Sequence, residues 1–165
     1  MITKYVKYVV LLVVFIILQK SLIWLFAIST YNISPDFVII ILIYISVKEG
    51  KLIGVTFGFF AGLLIDILGG TFIGLQALSY TIACFVAGFF KKEDEIFLKK
   101  QYFLLTVFTV SLVSNFVFYS IYFQGTDIKY PVVLMRYVLT SSVYTMTVSL
   151  IYLLLPRRKS TFAQV

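Results

Sequence analysis

Apolar residues fill this chain in long blocks separated by short polar or glycine-containing gaps, and the blocks predict helices of membrane-crossing length. The predicted spans cover about 5–28, 35–48, 52–68, 72–90, 101–123 and 131–155. In the first, Lys4 and Lys7 precede the run 8–18 in the manner of a signal peptide. Gln19 and Lys20 interrupt that run, however, and residues 22–26 are bulky where a cleavage region is small and polar, so an uncleaved span is expected. Ser34-Pro35-Asp36 marks the start of the second span, with Ser34 as N-cap, Pro35 at the first helical position and Asp36 in the first turn. Its apolar run ends at Lys48-Glu49-Gly50-Lys51, which leaves about 14 residues, or roughly 21 Å at 1.5 Å per residue. That is short for a hydrocarbon core of about 30 Å. Either the helix starts below the outer surface or residues 31–34 complete the crossing in irregular form, which lipid tolerates only against protein or water.

Gly54, Gly58 and Gly62 recur every four residues on one face of the third span, with Ala61 beside them and Asp66 one step further along the row. Such a small-residue ridge lets another helix backbone approach closely. The ridge packs either within the chain or against another protein's helix, and partner-helix packing is the role assigned to Gly54, Gly58 and Gly62. After Asp66, the sequence Gly69-Gly70-Thr71 reverses the chain, and Gly74 opens a helix carrying Gln76 and Tyr80. The unit reads as a tight transmembrane hairpin.

Composition supports the pattern. Hydrophobic residues make up 61% of the 165 residues and charged ones 13%, with mean hydropathy +1.04, against about 25% charged residues in a soluble domain. The fold class expected is an all-α integral membrane protein, a six-transmembrane-helix bundle forming a single domain over residues 1–165 in the lipid bilayer. The net charge of +7 comes from Lys and Arg at the ends of apolar runs, not from a basic face, so no nucleic-acid partner is expected. With both termini cytoplasmic, Lys4, Lys7, Lys48, Lys51, Lys91, Lys92, Lys99, Lys100, Arg157, Arg158 and Lys159 lie inside and only Lys129 outside, a bias of eleven to one. There is no histidine, and Cys84 is the single cysteine. An intrachain disulfide is therefore excluded, and His- or Cys-based metal sites and Cys-His catalysis nearly so. No nucleophile with its base, phosphate-binding glycine loop or carboxylate metal cluster is present, so neither an enzyme nor a cofactor or metal site is expected.

In this topology the charged and amide residues within the spans, apart from Lys7, Lys48 and Gln101 at inner span ends, fall in the outer half: Lys20, Asp36, Asp66, Gln76, Asn115 and Arg136, with Gln19 beside Lys20. Charges at membrane depth mark functional sites unless they are paired, hydrated or snorkelling. Two readings stand. Lys20 and Arg136 snorkel or pair with Asp66 while Asp36 serves its helix N-terminus, or the cluster surrounds an outward-facing cavity above the short second helix. Ser141, Ser142, Thr145 and Ser149 read as close-packing positions. The loop with Lys91, Lys92, Lys99 and Lys100 is a solvated, lipid-held segment or a cytoplasmic docking surface.

The run Gly54-x-x-x-Gly58-x-x-x-Gly62-Leu63-Leu64-x-Asp66, preceded by Pro35-Asp36-Phe37 and Lys48-Glu49-Gly50 and followed by Gly74-Leu75, Ala77-Leu78 and Tyr80, resembles the rod shape-determining protein MreD family. The match is densest over residues 35–80. The resemblance implies a non-enzymatic inner-membrane scaffold of the bacterial cell-elongation machinery. It also implies an MreC-like bitopic partner, the actin-like MreB and the RodA–transpeptidase synthase nearby, and a role in lateral peptidoglycan synthesis and rod shape. It further implies a fold resembling the substrate-binding subunits of energy-coupling-factor transporters. The alternative function is such a vitamin-type substrate-binding subunit, with the outer polar cluster as its ligand pocket. An ion channel would need comparable polarity in the inner half, where the spans lack charged and amide residues away from their ends.

Overall fold

A computed structural model describes residues 2–26, 35–70, 72–90 and 100–154. Their backbone forms six helices, and among the described residues there is no strand. The first five are α1 (Ile2–Phe26), α2 (Phe37–Glu49), α3 (Lys51–Gly69), α4 (Leu75–Ala87) and α5 (Lys100–Tyr122). α4 runs on into a 3-10 turn at Gly88–Phe90. The sixth, α6, covers 130–154 and changes character along its length: an α-helical turn at Tyr130–Val133, a π-helical stretch at Leu134–Leu139, then α-helix at Thr140–Leu154.

α2 occupies the centre, touching α1, α3, α4, α5 and α6. Val38, Ile39, Leu42, Ile43 and Ile45 are each at most 1% exposed. A helix apolar on every face is a buried one, and the 13 residues of α2 are packed by protein along most of their length. Residues 31–34, offered above as an irregular completion of the crossing, lie outside the described residues. The start differs from the expected one. Asp36 is itself the N-cap, with extended backbone (φ −97°, ψ 94°) and its carboxylate accepting from the Ile39 N–H at 3.1 Å. That bond forms only with Asp36 outside the helix, so Pro35 falls before the first turn and not in it. At the other end Gly50 alone separates α2 from α3, at φ 104° and ψ 172°, a region that is essentially glycine's.

α3 and α4 make the most extensive pairing in the bundle. Gly70, in the left-handed conformation, closes α3 by donating to the Asp66 carbonyl at 3.1 Å. α4 begins at Leu75 and not at 72, because Phe72 accepts from the Leu75 N–H in a turn and Gly74 is left-handed at φ 98°. The glycine row faces inward. A Cβ on Gly54 would strike Ser46 of α2; on Gly58 it would lie 2.8 Å from Cys84 Sγ and 2.9 Å from the Tyr80 carbonyl oxygen. On Gly62 it would lie 2.6 Å from the Ala77 backbone nitrogen. The ridge assigned above to a partner's helix is thus filled by the chain's own α2 and α4. The hairpin explains this: a tight reversal holds α4 beside the bare backbone of α3 at a high effective concentration.

The opposite faces carry bulk. Leu52, Phe60 and Ile67 of α3 and Phe72 and Ile73 after it are all more than half exposed, an arrangement suited to hydrocarbon surroundings. Lys51–Gly69 and Tyr102–Tyr122 are each long and apolar enough to cross a membrane.

Candidate functional site

Four helices converge on the N-terminus of α2. Three of its neighbours supply side chains to its polar groups. Gln19 of α1 accepts from the Val38 N–H at 3.2 Å, and Thr145 of α6 accepts from the Asp36 N–H at 3.1 Å. Tyr80 of α4 donates its hydroxyl to Asp36 Oδ2 at 2.6 Å. The free N–H groups of a helix start need acceptors when water is excluded, and here Gln19 and Asp36 satisfy those of Val38 and Ile39.

Beside this junction lies a cavity of about 180 Å³. Lys20, Asp36, Gln76 and Asn115 line it, so four of the six residues in the expected polar cluster meet there. Asn115 is held by α6, donating Nδ2 to Ser142 Oγ at 3.0 Å, while Ser142 donates to the Val138 carbonyl in the π-helical stretch.

Asp66 and Arg136 stand elsewhere. Fully buried Asp66 turns toward the start of α4, where its carboxylate accepts from the N–H groups of Gly74 at 2.9 Å, Gln76 at 3.1 Å and Ala77 at 3.2 Å. Gly74, at the N-cap position, has no side chain to do this, so Asp66 caps α4 from the previous helix. Arg136 sits exposed in the π-helical stretch and is not among the cavity-lining residues.

Tyr80, Thr145, Tyr119 and Ser141 belong to this region but carry no charge; the sequence offers Ser141 and Thr145 as close-packing positions and Tyr80 only as part of the hairpin. A signal existed. Gln76 and Tyr80, Asn115 and Tyr119, and Ser141 and Thr145 are i,i+4 pairs, each placing two polar groups on one helix face.

At the far end of the same helices a second polar junction forms. Lys4 Nζ lies 2.7 Å from Glu49 Oε1, and Tyr8 donates to the same carboxylate at 2.8 Å. Desolvation pushes the Glu49 carboxyl up, but the hydrogen bonds from Lys4 and Tyr8 together hold it below its ordinary value. The bond to Glu49 raises Lys4. Lys51 places its ammonium 3.2 Å from the Phe89 ring centroid, a cation–π contact for which Gly88 makes room, since a Cβ there would meet the Lys51 stem. Of the loop lysines, Lys91, Lys92 and Lys99 lie outside the described residues, as does the side chain of Lys100. Among the described residues there is no cluster of three potential metal ligands.

No curated protein and no solved structure matches the chain, and nothing in these comparisons supports the transporter-subunit reading. A family model described as rod shape-determining protein MreD matches residues 1–158, nearly the whole chain. The chain therefore belongs to the MreD family of membrane proteins that act in rod shape determination.

Proposed function

We propose that the chain is a non-enzymatic scaffold of the bacterial cell-elongation machinery. It crosses the inner membrane six times as a single transmembrane domain with both termini cytoplasmic, and it holds the transmembrane helix of an MreC-like bitopic partner. By binding alone it positions periplasmic peptidoglycan synthesis, through the RodA–transpeptidase synthase, relative to a cytoplasmic MreB filament. The observation that carries this reading is the family match over residues 1–158. The eleven-to-one distribution of Lys and Arg supports the topology. So does the gathering of Lys4, Glu49, Lys51 and Gly88 at one end of the first four helices, with Gln19, Asp36 and Gln76 at the other. The likeness to energy-coupling-factor substrate-binding subunits rests on the resemblance alone. With the glycine row occupied internally, the partner's helix packs on an outward apolar face, and the lysine-rich loop over 91–100 offers the cytoplasmic contact.

The test is an affinity pull-down of the tagged full chain in mild detergent, with proteins identified by mass spectrometry. Recovery of a bitopic wall-synthesis protein in defined stoichiometry is the expected result. Recovery of an ATPase module in its place would overturn the scaffold reading.

A further inference from the structure

The cavity beside α2 holds two opposite charges that do not neutralise each other. Lys20 and Asp36 both line it, yet among the described residues neither makes an ion pair. Asp36 uses Oδ1 for the Ile39 N–H and Oδ2 for the Tyr80 hydroxyl, with Gln19 and the Val38 N–H also beside the carboxylate, all of them neutral groups that bring its charge no cationic partner. Lys20 brings three donors. Asn115 commits Nδ2 to Ser142, and its side-chain carbonyl is left to accept. Separated charges of both signs at membrane depth are costly unless something supplies their counterparts.

We propose that this cavity is a binding site for a small zwitterion, whose ammonium group sits against Asp36 and the Asn115 carbonyl and whose carboxylate or phosphate group sits against Lys20. The pairing follows from charge. A simple anion would satisfy Lys20 and leave Asp36 unpaired, and a simple cation would do the reverse. Size agrees: about 180 Å³ is of the order of the roughly 150 Å³ cavity that takes up a benzene-sized molecule, enough for a headgroup-sized solute. Ile16, Ile65 and Phe118 supply an apolar part of the wall and suit the methylene bridge between the two charges. Two sources carry this chemistry: a free amino-acid-like solute and the headgroup of an ethanolamine phospholipid. The site is independent of partner binding and stands or falls separately from the scaffold reading.

The full chain, purified in maltoside detergent and stripped of lipid, is titrated with O-phosphoethanolamine, glycine, ethanolamine, inorganic phosphate and dihexanoyl phosphatidylethanolamine. Thermal stability and native mass spectrometry report binding. The expected result is a saturable rise in Tm with the zwitterions and affinity at least about tenfold weaker for ethanolamine or phosphate alone. Lys20→Met, which removes no hydrogen bond or ion pair among the described residues and keeps an apolar stem of similar length, is expected to weaken zwitterion binding by about tenfold or more without lowering the ligand-free Tm. Asp36→Asn, which keeps an oxygen for the Ile39 N–H, is expected to weaken zwitterion binding while leaving the response to phosphate unchanged. If dihexanoyl phosphatidylethanolamine binds more tightly than O-phosphoethanolamine, the occupant is lipid; if it binds no more tightly, the occupant is a free solute. Absence of saturable binding by every zwitterion overturns the proposal, as does Lys20→Met binding them within about twofold of wild type.

Discussion

Tyr80 and Asp36, on α4 and at the start of α2, are joined by a 2.6 Å hydrogen bond from the Tyr80 hydroxyl to Asp36 Oδ2. The same carboxylate caps α2 through the Ile39 N–H, so one side chain both begins the central helix and ties it to its neighbour. Asp36→Ala removes both functions and strands a buried hydroxyl. Loss of the cap costs about 0.5–2 kcal/mol, and the unsatisfied hydroxyl about 1–3 kcal/mol more. Tyr80→Phe removes only the tie. The expected order of Tm in detergent is wild type, then Tyr80→Phe, then Asp36→Ala, and an Asp36→Ala protein as stable as Tyr80→Phe would refute the double role.

Asp66 is expected to be less replaceable than any other acid in the spans. Asp66→Ala leaves the N–H groups of Gly74, Gln76 and Ala77 without their shared acceptor in a site from which solvent is excluded. Each unsatisfied donor costs about 1–3 kcal/mol. Asp66→Asn retains one oxygen and is expected to recover part of the loss. Thermal unfolding of the two variants decides this: equal Tm values for Asp66→Ala and wild type would show that the cap is dispensable.

The two kinds of glycine in the hairpin make opposite predictions about space and backbone. Gly62 meets Ala77 backbone, which cannot rotate aside, so even Gly62→Ala forces the helices apart, at about 1–3 kcal/mol for overpacking. Gly70 faces open space, and its constraint is φ 63°; Gly70→Ala therefore carries only the left-handed penalty of roughly 1–2 kcal/mol. Gly70→Asn, which tolerates that conformation, is expected to recover stability, whereas no side chain rescues Gly62. A Gly62→Ala protein with wild-type Tm would show that the helices have room to move.

Much of this was legible in the amino-acid pattern, and the failures share a cause. The hairpin could be read because Gly69, Gly70 and Gly74 punctuate it, and Lys20, Asp36, Gln76 and Asn115 stood out because charge and amide groups are rare at membrane depth. Depth along a helix, however, does not say which way a side chain turns. Asp66 shares its level with the cluster, but the reversal at Gly70 to Gly74 brings the N–H groups of α4 back over it, and they take the carboxylate. The glycine row likewise announces close approach without naming the helix that approaches. Thr145 was hidden because an uncharged hydroxyl in an apolar run reads as a packing position, and Tyr80, though it stood out in the hairpin, gave no sign of its tie to Asp36. The π-helical stretch over Leu134–Leu139 left no mark in the residues themselves.

The junction of Lys4, Tyr8 and Glu49 predicts an acid-sensitive contribution to stability. Glu49 has its carboxyl held below the ordinary value of 4.5 in the fold. Its contribution is therefore fully present above 4.5 and lost as pH falls through the lowered folded value. The raised Lys4 acts at the other extreme: its share is present below its ordinary 10.5 and lost as pH rises through the raised value. Between these limits the stability difference between wild type and Glu49→Gln is expected to be flat. It is expected to shrink in acid, where Glu49 protonates, and in strong base, where Lys4 loses its proton. A difference that already varied between pH 6 and 8 would show that another group controls this end of the bundle.

The six-span arrangement can be tested with the chain's own lack of thiols. Cys84 is the only cysteine and is 1% exposed against α3, so a wild-type background is expected to stay silent to a membrane-impermeant maleimide. Lys129 lies in an exposed turn between α5 and α6, and Lys48 is exposed at the end of α2. If the chain enters from the cytoplasm and crosses six times, the two positions face opposite compartments, since Lys48 follows the second crossing and Lys129 the fifth. Lys129→Cys is then expected to label in intact spheroplasts, and Lys48→Cys only after permeabilisation. Labelling of both from one side would break the alternation on which the charge count depends. Labelling with the sides exchanged would preserve six crossings but invert the chain, placing the Asp36 cavity toward the cytoplasm and the Lys4–Glu49 junction toward the periplasm.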